Sequence, residues 1–106
     1  MTARLNLVVL RCADLALSQR FYEALLGVAF APERHGGVDH LAVDLGGVVL
    51  ELYPLGVGGA PSRVRVEFGV DDLTAVADRL GQLGSNHGCC RGRCWGWIRT
   101  ATAWRW

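Results

Sequence analysis

The stretch that decides the fold is LRCADLALSQRFYEALLG, residues 10–27, where a strand-like segment runs into a helix with a clear beginning and end. Asp14 offers a carboxylate that can cap the first backbone N–H groups of a helix, and Gly27 is a typical residue for the helix end. Three apolar residues between them recur at the spacing of one helix face: Leu17, Phe21 and Leu25. The stretch therefore predicts a strand followed by a helix.

Working outward, the first half of the chain predicts the element order βαβββ. Residues 5–10 are apolar and rich in strand formers, which indicates a buried first strand. After the helix we expect a strand beginning at 28–30, a polar turn region at 32–39, a strand at 40–45, a tight turn at Gly46-Gly47, a strand at 48–53 ending at Pro54, and a flexible connection at 56–61.

The same pattern then begins again. Residues 64–68 alternate as a strand, and Asp72 precedes a helix with five apolar residues: Leu73, Val76, Ala77, Leu80 and Leu83. The Asp-Leu pair at Asp14 recurs at Asp72, and the Leu-Gly pair ending at Gly27 recurs at Gly84, so the two helices have matching starts and stops. A duplicated strand–helix unit is the simplest interpretation. Two unrelated capped helices would share these signals, and that alternative stays open.

The opening stretch resembles the signature of the vicinal oxygen chelate superfamily, which contains glyoxalases, bleomycin-resistance proteins and extradiol dioxygenases. The residues that carry the resemblance are Leu10-x-Cys12-x-Asp14-Leu15-x-x-Ser18-x-x-Phe21-Tyr22-x-x-x-Leu26-Gly27. Residues 49–53 resemble the fourth strand of that superfamily's first module, and residues 68–73 resemble the start of its second module.

The resemblance implies an α+β fold in which paired βαβββ modules form a curved mixed sheet around a cleft. It also implies that Phe21 and Tyr22 pack the first helix onto the sheet. We therefore expect a glyoxalase/bleomycin-resistance-like domain at 1–84, with module one at 4–57 and the start of an incomplete module two at 63–84. An atypical tail at 85–106 follows.

The resemblance further implies a map of site residues, since metal-binding members place one ligand on the first strand and one carboxylate on the fourth strand of each module. These positions fall on Leu7, which has no lone pair for a metal, on Glu51, and near Arg65, a fixed cation that repels a divalent metal. Glu51 is thus the candidate metal ligand or catalytic base, and Tyr53 and Arg65 are expected in the substrate cleft. The alternative for Glu51 is an edge carboxylate facing water, because burial in this apolar strand requires a partner or a wet cavity.

Two histidines, His35 and His40, flank the Gly36-Gly37 pair and offer imidazole ligands for zinc, iron or nickel. Neither falls on a ligand position of the superfamily. The competing interpretation is a loop histidine and a strand-start histidine that line the cleft or face solvent. The cofactor therefore stays open: a divalent metal is possible, and none is favoured.

The chain changes character after Gly84, because three of the four Cys and all four Trp lie beyond it and no Asp or Glu follows Asp78. The codons that can encode residues 95–106 can also be read in another frame, which starts from the last base of each codon. In that frame the same DNA can encode Asp-Pro-Asp-Gly-His-Arg-Val-Glu. That peptide resembles the closing motif of the superfamily. We therefore hypothesise a frameshift near Gly84 or shortly after it.

A rival interpretation of the tail is a zinc site made of His87, Cys89, Cys90 and Cys94. Structural zinc normally joins two separated ligand pairs, whereas adjacent cysteines on one short segment give awkward tetrahedral geometry. A disulfide framework is no better supported, because Cys12 lies in a strand-like segment of a chain expected in the cytoplasm.

Composition limits the classes of function. A chain of 106 residues, 51% hydrophobic and with a formal charge of +1, predicts one globular domain without a field for nucleic acid or an anionic membrane. No apolar run is long enough to cross a bilayer and no signal peptide is evident, so the expected compartment is the cytoplasm. From the resemblance we expect a homodimer that binds a small molecule, with metal-dependent lyase or dioxygenase activity undecided. The alternative is a non-functional frameshifted product with only a structural or dimerisation role.

Overall fold

The computed structural model describes residues 2–83 and, for the backbone only, residues 96–99 and 104–105. Its elements are β1 (Leu7–Cys12), α1 (Leu15–Leu26), β2 (Ala31–His35), β3 (Val38–Asp44), β4 (Val49–Pro54), β5 (Val66–Gly69), α2 (Leu73–Gly81), β6 (Gly96–Arg99) and β7 (Trp104–Arg105). The predicted order βαβββ, followed by a second strand–helix unit, is confirmed. The fold is α+β.

The first four strands form one mixed sheet in the order β1-β4-β3-β2. Strand β4 lies inside this sheet, parallel to β1 and antiparallel to β3, and β2 is antiparallel to β3. In the second sheet the order is β5-β6-β7, with β5 parallel to β6. The first module is therefore complete, while the described part of the second module is not.

The two helices begin in the same way. Oδ1 of Asp14 accepts a hydrogen bond from the N–H of Leu17 at 3.0 Å, and Oδ1 of Asp72 accepts one from the N–H of Ala75 at 3.0 Å. The backbone angles agree too, with φ −131° and ψ 99° at Asp14 and φ −130° and ψ 94° at Asp72. This agreement confirms the predicted matching starts and favours the duplication.

The helix ends differ, so the predicted matching stops are wrong. Helix α1 ends at Gly27, which has φ 68° and donates its N–H to the carbonyl of Glu23. Helix α2 ends earlier than expected, at Gly81, and its cap Gln82 keeps a right-handed backbone. The described residues do not include Gly84, where the domain boundary is expected. They also do not include the proposed zinc ligands of the tail, and they do not test its reading frame.

The core lies between the two helices and one face of the first sheet. Its members are Leu10, Cys12, Tyr22, Leu25, Phe30, Leu50, Leu52, Phe68 and Val76. Tyr22 is buried and its ring meets that of Phe68 at 6.1 Å, which joins the two modules, whereas Phe21 packs against the core while only half-buried. Neither helix of the described residues is long and apolar enough to cross a membrane.

A second contact joins the helices at the last turn of α1. Nε of Arg79 on α2 donates to the carbonyl oxygen of Ala24 at 2.7 Å. The last four carbonyls of a helix have no partner within the helix, so a cation at this end satisfies an acceptor and opposes the negative end of the helix dipole. The two modules are therefore held by polar as well as apolar contacts.

One expectation about the first module is wrong, because residues 32–39 are not a turn region. Residues Ala31–His35 form strand β2, and only Gly36 and Gly37 turn, with φ 58° and 80°. Every residue of β2 is exposed, since it is an outer strand of the sheet. An exposed edge strand has no apolar alternation to reveal it, and its Pro32 is tolerated there.

Candidate functional site

Glu51 is a buried carboxylate at the centre of the first sheet. It lies on β4 directly opposite Ala42 of β3, and the residue is 8% exposed. Its neighbours Leu50 and Leu52 point into the core, so Glu51 points to the other face of the sheet. We call that other face the site face; it also carries Leu7, Val9 and Tyr53.

The imidazole of His40 contacts the carboxylate of Glu51. The His40 side chain is fully buried, and its Nε2 lies 3.4 Å from Oε2 of Glu51. The same Nε2 lies 3.2 Å from Oε1 of Glu33 on β2. One imidazole nitrogen thus faces two carboxylates, which offsets the cost of burying Glu51 in a sheet otherwise rich in apolar residues.

The tight hairpin between β2 and β3 brings Glu33 and His35 to this place. With only Gly36 and Gly37 in the turn, His35 pairs with Val38 and Glu33 pairs with His40. Side chains of directly opposed residues lie on the same face of a sheet. Glu33, His35, His40 and Glu51 therefore form one group, in which one ligand atom of each lies within 4.8 Å of all the others.

Tyr53 forms the wall of this group. Its ring stacks on the imidazole of His40 with centroids 4.2 Å apart and planes 9° apart. His35 lies on His40 as well, with ring centroids 4.9 Å apart. His40 is thereby held in one orientation by aromatic contacts and by its own charged neighbours.

Leu7 and Arg65 are the expected site positions that do not join the group. Leu7 is 47% exposed and opens β1 opposite Val49, on the site face but without a ligand atom. Arg65 is exposed and precedes β5. The ligand positions implied by the superfamily therefore do not assemble a metal site in the part of the chain that the structure describes, apart from Glu51.

Glu33 is the member of the group that sequence reasoning missed. The signal was present in the Gly36-Gly37 pair, since a two-residue turn with φ above zero at both residues is a typical hairpin connection. That turn places Glu33 opposite His40. The wrong assignment of residues 32–39 as a polar turn hid the pairing.

A further carboxylate, that of Asp44, lies at the turn between β3 and β4. Oδ1 of Asp44 accepts hydrogen bonds from the backbone N–H groups of Gly47 at 3.0 Å and Gly46 at 2.8 Å. These two bonds stabilise the ionised form and lower the pKa of Asp44 below its ordinary value. This carboxylate supports the turn and lies outside the group of four.

A separate cavity of about 530 Å³ lies on the core side of the sheet. Its walls include Val8, Leu25, Leu50, Phe68 and Val76, and its rim carries charged residues of the second module. Leu50 and Glu51 are successive residues of one strand, so this cavity and the group of four lie on opposite faces. This cavity, with its mostly apolar walls, is therefore separate from the polar cluster.

A family model described as a glyoxalase-like domain matches residues 7–91. The chain therefore belongs to the glyoxalase-like domain family, within the vicinal oxygen chelate superfamily that the opening signature indicated. No curated protein matches it significantly.

Solved structures show the same fold. The chain is similar to oxidase ChaP-H2, with 25% identity and a TM-score of 0.63, over 79% of this chain and 65% of that one. It is also similar to the fosfomycin resistance protein FosX from Mesorhizobium loti, with 19% identity and a TM-score of 0.56, over 79% and 72% of the two chains. It is similar as well to a glyoxalase-related enzyme from Fulvimarina pelagi, with 22% identity and a TM-score of 0.52, over 78% of this chain and 66% of that one. The chain thus spans slightly less than two thirds of ChaP-H2.

Proposed function

We propose that this protein binds a small organic molecule on the site face of the first module, in a cleft that the second module helps to form. The observation that carries the proposal is the burial of Glu51 and His40 on this face and not in the apolar core. Buried ionisable groups that converge from several strands are typical of functional sites, because their burial costs stability and is retained where the groups have a role. Family membership supports the cleft.

The composition of the site face indicates the chemistry of the ligand. Leu7 and Val9 are exposed apolar side chains, and Tyr53 adds a half-buried ring beside the carboxylates. Binding sites commonly combine such an apolar lining with a few placed polar groups. We therefore propose a ligand with an apolar part and with a hydrogen-bond donor or positive charge that meets Glu51. A carboxylate beside an imidazole is also the arrangement of a general base, which is the catalytic role we propose for Glu51 if the site performs chemistry.

The apolar cavity on the core side is the competing place for a ligand. Its walls are core side chains such as Leu50 and Val76, which the further strands of a complete second module would be expected to cover. The charged residues among the described part of its lining, such as Glu67 and Arg79, are exposed or half-buried. We propose that it is a consequence of the incomplete second module.

The proposal is tested by mapping ligand binding onto the chain. Small aromatic amines are first screened for a rise in melting temperature, and each hit is followed by amide chemical shifts in nuclear magnetic resonance. We expect shifts at Val9, Glu51 and Tyr53, and loss of the thermal effect in Tyr53→Ala. Shifts confined to Leu45, Val48 and Val76 would place the ligand in the core-side cavity and contradict the proposal.

A second candidate is a frameshifted product whose role is structural or absent. It is favoured by the end of the family match at residue 91, before the four Trp, and by the lack of acidic residues in the tail. We propose that the boundary near Gly84 reflects a change of reading frame. Sequencing the coding DNA tests this: one insertion or deletion should restore the closing motif, and a frame without that possibility contradicts the proposal.

The two candidates differ in folding behaviour. A binding protein gives one cooperative unfolding transition and a defined oligomer, whereas a defective product gives a broad transition and aggregates. We propose a homodimer, supported by the exposed Leu5, Leu7 and Val9 on and beside β1. Light scattering on the chain and on Leu7→Ser measures this: we expect a dimer that Leu7→Ser weakens, and a monomer at all concentrations contradicts it.

A further inference from the structure

Three adjacent strands present nitrogen and oxygen donors to one point. Glu33 and His35 come from β2, His40 from β3 and Glu51 from β4, and their ligand atoms lie within 4.8 Å of one another. Two of the four residues, His40 and Glu51, are buried, and the other two are exposed at the edge. The two buried residues have a fixed geometry, and the two exposed residues leave a route by which an ion can enter.

We infer that these four residues form a binding site for a divalent first-row transition metal ion such as Zn²⁺. The donor set is two imidazoles and two carboxylates, which suits zinc, cobalt, nickel or iron. Mg²⁺ and Ca²⁺ prefer oxygen donors alone, so two imidazoles select against them. Metal binding here goes beyond the proposed binding of an organic ligand and is measured with the ion alone.

The orientation of His40 supports the inference. Its Nδ1 faces the carbonyl oxygen of Val38 at 3.4 Å, and a carbonyl only accepts, so Nδ1 is the nitrogen that would keep a proton when Nε2 binds a metal. Metal-binding histidines commonly donate their second nitrogen to such an acceptor, which fixes the ring. Nε2 is the nitrogen that faces the carboxylates of Glu33 and Glu51, at 3.2 Å and 3.4 Å. A cation bound between these three groups takes the place of the contacts that Nε2 makes with the two carboxylates in the metal-free protein.

The distances agree with coordination of a single ion. Ligand atoms bound at about 2.0–2.2 Å from one metal lie roughly 3 to 4.4 Å apart. Nε2 of His40 lies 3.2 Å from Oε1 of Glu33 and 3.4 Å from Oε2 of Glu51. All four ligand atoms lie within 4.8 Å of one another, so a small movement of the exposed His35 or Glu33 is enough to bring them to coordination distance.

This site differs from the one that the superfamily resemblance implies. It keeps the fourth-strand position, Glu51, but replaces the first-strand position, where Leu7 offers no ligand. The missing ligands come from the β2–β3 hairpin of the same module. The site is therefore complete within the first module and requires no residue from the second module or from a partner chain.

The test is metal binding by the whole chain after treatment with a chelator. Calorimetry with Zn²⁺, and the visible spectrum with Co²⁺, should show one ion per chain, while Mg²⁺ should not compete at equal concentration. A variant with Cys89, Cys90 and Cys94 all changed to Ser removes the alternative thiolate ligands of the tail. It should bind the ion with unchanged affinity, and its Co²⁺ spectrum should lack thiolate charge-transfer bands.

Three further variants, made in the chain with these three cysteines changed to Ser, locate the ion. Glu51→Gln and His35→Ala should each weaken Zn²⁺ affinity by about tenfold or more. Asp39→Asn is the matched control, because this exposed carboxylate on the same hairpin pairs with Arg34 and not with the group. Circular dichroism checks that each variant folds. If the Glu51→Gln variant unfolds, the His35→Ala variant still tests the inference, because it changes an exposed residue. Affinity that disappears with the cysteines, or that survives both substitutions in a folded chain, overturns the inference.

Discussion

Nε2 of His40 lies 3.4 Å from Oε2 of Glu51 across two antiparallel strands, at the point where the sheet places both side chains on the face away from the helices. Because Glu51 is directly opposite Ala42, this contact is diagonal, and it brings a fully buried imidazole to a carboxylate that is nearly as buried. The contact explains how an apolar strand carries a carboxylate. It also makes the hairpin, and not the first strand, the main part of the site.

His40→Ala should destabilise the metal-free protein by about 2–4 kcal/mol, because the substitution removes the ring stacked on Tyr53 and leaves Glu51 buried without its partner. The free energy of unfolding in urea, measured with chelator present, checks this value. The matched change His35→Ala affects an exposed ring and should cost less than about 0.5 kcal/mol. Equal effects of the two substitutions on the free energy of unfolding would show that the buried His40–Glu51 pair stabilises the protein no more than an exposed side chain does.

Gly27→Ala should cost about 1–2 kcal/mol, since Gly27 has φ 68° and an L side chain is strained in that conformation. A Cβ at this position would also meet Nη2 of Arg79 at 3.0 Å. Thermal unfolding measures the loss. Gly81→Ala is the control, because no atom lies within 4 Å of its added Cβ and its φ is not positive; that change should be neutral or stabilising by up to about 1 kcal/mol.

Asp14→Ala should lower the free energy of unfolding by about 1 kcal/mol through loss of the helix cap, and Asp72→Ala should do the same at the second helix. The expectation rests on equal hydrogen bonds of 3.0 Å at both caps. Asp14→Asn keeps an oxygen that accepts from Leu17 and should recover most of the loss. Urea unfolding followed by circular dichroism compares the three variants, and an unchanged Asp72→Ala would show that α2 contributes little to the cooperative fold.

Asp44 should make the turn between β3 and β4 sensitive to acid. Its pKa is lowered from 3.8 by the N–H groups of Gly47 and Gly46, so its stabilising effect is complete above the ordinary value. The effect is lost as the pH falls from that value through the lower folded-state pKa. A titration of the Asp44 carboxyl carbon by nuclear magnetic resonance should give a midpoint below 3.8. In Asp44→Asn the acid dependence of stability should be smaller, and a midpoint at or above the ordinary value contradicts the prediction.

Local sequence signals were sufficient to predict β1, α1, β3 and β4 of the first module, and to indicate the family. Asp14, Gly27 and the apolar spacing between them act through hydrogen bonds and packing within a few residues, so they can be recognised without a structure. The apolar run around Glu51 likewise predicted a strand with an unusual carboxylate. The same local signals failed at β2, where exposed residues carry no periodicity, and at Leu83, where α2 had already ended.

Which polar residues meet depends on the tertiary structure. Glu33 and Glu51 are far apart in sequence, and both reach His40 because the hairpin register and the strand order β4-β3-β2 place them on one face. A shift of one residue in that register would turn His40 to the opposite face, into the core. Strand register depends on the packing of the whole sheet against its helices, and that packing is a property of distant residues acting together.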